Sequence, residues 1–149
     1  MNTGIVAQVL VWIELASATL FASWALYISL VEHPARMAAG AAAGLAQWRP
    51  SYARAAPYQA SAAALSLVAG LGAALVTGRW GWAAGGVLVG SAIPFTLIAI
   101  MPTNRRLHAP GLPAAEAGPL LARWGALHWV RTAAGLAGLA LLLVEAHRP

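Results

Sequence analysis

Apolar residues gather in four long runs, and most polar residues fall in the breaks between them. The first run covers residues 5–30 and ends at Glu32-His33-Pro34. The second, 58–77, starts behind Pro57, a residue that suits a first helical turn. The third, 81–101, is closed by Pro102-Thr103-Asn104, and the fourth covers 124–144. Each holds 20 or more residues, enough at 1.5 Å per residue to cross a hydrocarbon core of roughly 30 Å. The pattern predicts an all-α integral membrane protein. Its expected form is a compact four-helix transmembrane bundle, with residues 1–149 as a single membrane domain.

Local chemistry adds detail. Spans two and three are rich in small residues, as at Gly70-Leu71-Gly72-Ala73-Ala74 and Gly85-Gly86, which lets helices approach closely. Such faces exceed what one bundle needs internally and favour a homo-oligomer over a monomer. Pro94 is expected to kink the third span. Between spans one and two, residues 35–48 are helix-friendly and stop at Pro50. This predicts a short interfacial helix with Trp48 and Tyr52 at headgroup depth. The 3–4 connection, with Pro110, Gly111, Pro113, Gly118 and Pro119, reads as an irregular cap. The N-terminus lacks a basic leader region, so a retained first helix is expected.

Composition narrows the class further. Only 9% of the 149 residues are charged, against about 25% in soluble domains. The nine arginines stand singly or as the pair Arg105-Arg106, between apolar runs. That placement sets topology; it does not build a phosphate-tracking groove, so no nucleic-acid partner is expected. With no cysteine, thiolate-held metals and disulfide relays fall away. Arg36, Arg49, Arg54, Arg105, Arg106 and Arg123 stand against Arg79 and Arg148. The count predicts an integral protein of the inner (cytoplasmic) membrane, with the 1–2 and 3–4 loops cytoplasmic and both termini outside.

The polar residues converge on one end. Trp124, His128 and Arg131 are spaced by four and three and share one helical face. Arg131 lies about two turns inside an apolar span, where a charge marks a functional position. Topology brings Glu32 and His33, Tyr58 and Gln59, and Asn104 to the same end. Each has a structural alternative: an ion pair with Glu32 for Arg131, a core role for His128, an interfacial one for His33, a turn for Asn104. Glu14, shared on its face with Ser17, lies in the other half of the bundle as a helix–helix bond, a proton site or a ligand group. His33, His128 and Glu32 form a weak two-histidine, one-carboxylate metal set, opposed by the charge of Arg131. No nucleotide signature is present.

The chain resembles the DUF1772 family of small four-span membrane proteins, the anthrone oxygenase-like family. The resemblance rests on Val31-Glu32-His33-Pro34-Ala35-Arg36, Trp48-Arg49-Pro50, Tyr52-Ala53-Arg54 with Gln59, Pro102-Thr103-Asn104-Arg105-Arg106-Leu107, and Trp124 to His128 to Arg131. It implies oxidation of anthrones to anthraquinones without an organic cofactor. His33, Asn104, His128 and Arg131 are then the catalytic candidates, surrounded by Glu32, Trp48, Tyr52, Tyr58, Gln59 and Trp124 as pocket. A histidine base and an arginine facing the developing oxyanion suit that chemistry.

The expected function is therefore a membrane-embedded oxygenase or oxidoreductase acting on a lipophilic, anthrone- or quinol-like aromatic. Its expected partners are the lipid bilayer and a lipophilic small molecule. A non-catalytic subunit that binds quinone, haem or a partner membrane protein is the alternative. A small transporter is disfavoured by the lack of a polar line through spans two and three.

Overall fold

The computed structural model describes residues 3–148. Four helices make up nearly all of it: α1 Thr3–Ala38, α2 Ala41–Thr77, α3 Trp80–His108 and α4 Ala114–Ala146. All four are long and apolar enough to cross a membrane, and the described residues contain no strand. The chain is an all-α four-helix membrane bundle. The connections are very short: 39–40, 78–79 and 109–113. Each holds one glycine at positive φ (Gly40 at 86°, Gly78 at 73°, Gly111 at 69°), a conformation that a Cβ disfavours.

The helices run well past the breaks that the sequence suggests. At 36 and 37 residues, α1 and α2 are each about 54 Å long, against roughly 30 Å of hydrocarbon. The excess forms a collar at the end that carries the 39–40 and 109–113 connections, here called the loop end. Glu32-His33-Pro34 does not end α1. A π-helical turn over Ile28–Glu32 precedes Pro34, which then sits in the first turn of His33–Ala38. The same device recurs in α3, where a π turn over Thr96–Ile100 precedes Pro102 in the first turn of Met101–His108. A proline has no N–H to give and crowds the preceding turn. A wider turn just ahead relieves both problems, and such turns often mark functional positions.

Other local expectations are revised. The interfacial helix is not a separate element, because α2 runs unbroken through Pro50 and Pro57. Trp48 explains why: it is fully buried among Ile28, Leu45, Leu107, Leu121 and Trp124, and this packing overrides the local proline signal. The 3–4 cap shrinks to five residues, with Pro119 inside α4. Near Pro94, α3 loses its regularity at Ser91, between Trp80–Gly90 and Ala92–Phe95.

Two apolar clusters stack along the bundle. One, at the end carrying the termini, includes Ala18, Phe21, Ala63, Ala73, Trp82, Val89 and Leu142. The other, at the loop end, is built on Trp48, Ile100, Leu121 and Trp124. In α1, α2 and α4, buried polar residues lie between the two: Ser29, Gln59, and His128 with Arg131 and Thr132. At the terminal end the buried carboxylate of Glu145 takes Arg79 (3.0 Å) and Arg148 (3.2 Å), fastening the start of α3 to the end of α4.

The glycines that favoured an oligomer are largely used inside this one bundle. A Cβ on Gly70 would collide with the Glu14 carboxyl and the Trp82 carbonyl; on Gly85 it would strike Leu142, and on Gly135, Phe21. Glu14 is wholly buried with its carboxyl against Gly70 and Gly86. Gly86→Ala would set a methyl 2.8 Å from the immobile Ser66 carbonyl and is expected to cost about 1–3 kcal/mol. Gly118→Ala meets nothing closer than 3.7 Å outside its chain neighbours; crowding by the ring of Pro119 opposes the propensity gain of alanine, so a change of less than about 1 kcal/mol is expected. Thermal melts of the two variants in one detergent check the contrast.

Candidate functional site

A cavity of about 190 Å³ opens between the two apolar clusters, and all four helices line it. A dry apolar cavity of about 150 Å³ holds one benzene ring, so the enclosed space takes one substituted ring, and a larger flat molecule would extend out of it. Phe21 and Ile28 of α1, alanines of α2 and Ile93 and Leu97 of α3 make most of its wall. Polar side chains reach it from every helix: Glu32 and Arg36 from α1, Ser51, Tyr52 and Gln59 from α2, Thr96 from α3, and His128 and Arg131 from α4.

His128 and Arg131 both line the cavity and are almost fully buried, Arg131 at 8% exposure. The Arg131 guanidinium donates from Nη2 to the Gln59 Oε1 (3.0 Å) and lies 5.7 Å from the Phe21 ring centre. No carboxylate pairs with it among the described residues, and its Nε has no partner in the protein. Gln59 Nε2 and His128 Nε2 are equally unpartnered. The other nitrogen of His128, Nδ1, is held at 3.0 Å by Ser29 Oγ, itself 2.8 Å from Thr132 Oγ1. Thr132 also reaches the Ala25 carbonyl at 3.2 Å and that of His128 at 3.1 Å. This chain fixes the imidazole ring and leaves Nε2 for whatever enters the cavity.

Glu32 is engaged elsewhere. One of its oxygens accepts from Arg36 Nη2 (2.7 Å), Gln47 Nε2 (2.8 Å) and Ser51 Oγ (2.5 Å). Arg36 also donates to Gln47 Oε1, which closes the group into a ring. Both Glu32 and Arg36 line the cavity, but as a neutralised pair. The ion pair between Glu32 and Arg131 that would make Arg131 purely structural is not formed.

The remaining expected residues divide. Trp124 stacks on His128 (4.9 Å between ring centres) and Trp48 stacks on Tyr52 (4.9 Å), the two tryptophans meeting edge-on at 6.0 Å. All three aromatic residues line the cavity. His33 is not part of the wall. Its ring packs on Trp124 at 5.5 Å, in the space left by Gly125. Asn104 also stands behind the wall, donating to the Tyr52 hydroxyl at 2.8 Å. Tyr58 departs from expectation: it is 66% exposed and stacks on Trp24 outside the bundle. One position along a helix turns a side chain by about 100°, so Gln59 faces inward and Tyr58 outward. Trp12 and Trp129 face outward as well, whereas Trp124 is core.

Ser29, Thr132, Phe21, Ser51 and Gln47 were missed. His128-x-x-x-Thr132 and Glu32-x-x-x-Arg36 are one-turn spacings visible in the sequence; Ser29, Ser51 and Gln47 carry no signal without the fold. Glu32, His33 and His128 do not gather, and no cluster of three or more metal-ligating side chains exists among the described residues.

Such a bundle, with an apolar cavity and a histidine–arginine pair on its wall at membrane depth, defines a class of small membrane proteins built around a lipophilic pocket. The sequence model of the anthrone oxygenase family matches residues 48–141, nearly two thirds of the chain, and the chain belongs to that family, the DUF1772 family. The match takes in Gln59, Asn104, Trp124, His128 and Arg131, and begins after the α1 residues Ser29, Glu32 and His33. No curated protein and no solved structure matches the chain.

The two buried arginines should answer differently to loss of charge. Arg36→Met strips Glu32 of its cation but leaves it Gln47 and Ser51, and is expected to destabilise by about 1–3 kcal/mol. Arg131→Met removes an uncompensated charge, and the fold should be as stable as before or more so. Melting temperatures of both variants check this; an equal loss in each contradicts the difference in pairing.

Proposed function

We propose that this member of the family is a membrane-embedded oxygenase that takes an anthrone- or quinol-like aromatic and needs no organic cofactor. Arg131 is the observation that carries the reading. Desolvating a guanidinium costs several kcal/mol, and one hydrogen bond from Gln59 returns only about 1.5–3 kcal/mol. A charge left uncompensated at a cavity wall, beside a bare imidazole nitrogen, is arranged for a ligand.

An anthrone has an acidic C–H between two aryl rings, with a carbonyl across the central ring. His128 Nε2 removes that proton, its Nδ1 proton held by Ser29. The electron pair moves onto the carbonyl oxygen, where Arg131 and the free amide of Gln59 receive the negative charge. Positions three apart on a helix put their Cβ atoms roughly 5–6 Å apart, so base and oxyanion groups can flank one ring. The anion gives an electron to O₂, and the resulting radical pair joins at the deprotonated carbon as a peroxide. Loss of water then leaves the second carbonyl. Anthrone plus O₂ becomes anthraquinone plus water, so all four electrons come from substrate. His33 and Asn104 act through Trp124 and Tyr52, as supports of the wall.

The orientation fits the same picture. Arg54, Arg105, Arg106 and Arg123 are exposed at the loop end, which supports a cytoplasmic loop end with both termini outside. Reporter fusions at residues 110–113 and 148 should report opposite compartments, the latter outside; a cytoplasmic C-terminal reporter reverses the assignment.

Turnover is tested with the protein in nanodiscs, 9-anthrone and air, following oxygen uptake and anthraquinone absorbance. His128→Ala is expected to lose at least about 100-fold in kcat with the bundle still folded. Arg131→Lys should remain poor because the planar donor fork is gone. Ser29→Ala should lower kcat about tenfold and leave KM unchanged, since it only orients the imidazole. Wild-type turnover no faster than empty nanodiscs would displace the oxygenase reading in favour of a ligand-binding subunit.

A further inference from the structure

The cavity has one thin flank. Beyond Trp48, Ser51, Tyr52 and Gln59, its α2 wall is made of Ala55, Ala56, Ala60 and Ala63, which carry nothing beyond Cβ. Nearer the termini, α2 and α3 are in close contact, with Gly86 against Ser66 and Gly90 against Leu67. At the cavity, α3 has passed its irregular turn at Ser91 and entered the π turn Thr96–Ile100. Ala60 and Leu97, one from each helix, line the cavity and are also exposed on the outside, Leu97 at 60%. Exposed apolar neighbours on the same two helices, Leu65, Val68 and Ile98, place that flank against lipid. The water-facing end is covered instead: Trp48, Tyr52 and Trp124 form a packed aromatic roof, and Arg36 and Glu32 are tied to each other.

From this geometry we propose that the cavity is reached sideways from the bilayer, through a gap between α2 and α3 bounded by Ala56, Ala60 and Leu97. Its ligand is then a flat, membrane-dissolved molecule that enters polar end first and leaves its apolar edge toward lipid. Three buried side chains with unpartnered nitrogens at the inner wall, Gln59, His128 and Arg131, are what that end meets. The identity of the ligand as an oxidisable aromatic rests on the oxygenase reading above; the route does not.

The chain has no cysteine, so a single introduced thiol reports access cleanly. Ala63→Cys puts it deep in the cavity, at a position 1% exposed; Thr96→Cys, nearly isosteric, is the second reporter should Ala63→Cys not fold. In nanodiscs, N-phenylmaleimide, which partitions into the bilayer, should alkylate the reporter, and an anionic methanethiosulfonate confined to water should not. Adding Ala60→Trp should slow alkylation at least tenfold, whereas Leu65→Trp, on the lipid side of α2, should leave it unchanged. Modification by the aqueous reagent, or an unchanged rate with Ala60→Trp, overturns the lateral route. Because labelling needs no turnover, its failure is separable from failure of the oxygenase assay.

Discussion

One uncompensated charge organises this bundle. Arg131 is buried near the middle of α4, with a single neutral acceptor and no carboxylate among the described residues. A structure selected for stability alone would pair it or replace it. Glu32, the carboxylate on the cavity wall, is instead engaged by Arg36, Gln47 and Ser51. That arrangement balances the charge of the second arginine, Arg36, and leaves the first without a counter-ion. The cavity thus carries net positive character at one place only, next to an imidazole whose far nitrogen is tied down.

The backbone serves the same layer. Both π turns, Ile28–Glu32 and Thr96–Ile100, fall beside the cavity and ahead of a proline. The first contributes Ile28 to the wall and Ser29 to His128; the second contributes Thr96 and Leu97. Below them the helices pack tightly over glycine, with Glu14 seated against Gly70 and Gly86. Above them sits the aromatic roof. Tight packing at both ends confines the open volume to the polar layer, where a ligand's charge can be met by fixed groups in a medium of low dielectric.

Much of this was legible in the sequence, for physical reasons that differ between residues. Four runs of 20 or more apolar residues admit only helices in a membrane, so the bundle follows from hydropathy. The Trp124, His128, Arg131 stripe follows from helical periodicity. Element ends were not legible. Pro34, Pro50 and Pro102 read as stops, whereas a π turn or the burial of Trp48 carries the helix through each. Tyr58 and Gln59 could not be separated without the rotation of α2. The bond between Ser29 and His128 spans ninety-nine positions, and no local pattern encodes it. Of the glycine faces that suggested a partner outside the chain, Gly70, Gly85 and Gly86 meet Glu14 and Leu142 of the chain itself, a use that only the fold reveals.

The claim that Arg131 is kept charged for a ligand is tested most directly by its preference between two flat tricyclic molecules, anthracene-9-carboxylate and uncharged 9-anthracenemethanol. Affinities are measured by titration of the protein in nanodiscs. The wild type should favour the anion by about 10- to 150-fold, the worth of a charge-assisted hydrogen bond of about 1.5–3 kcal/mol, and Arg131→Met should abolish the preference while still binding the alcohol. An anion preference that survives intact in Arg131→Met would contradict the account.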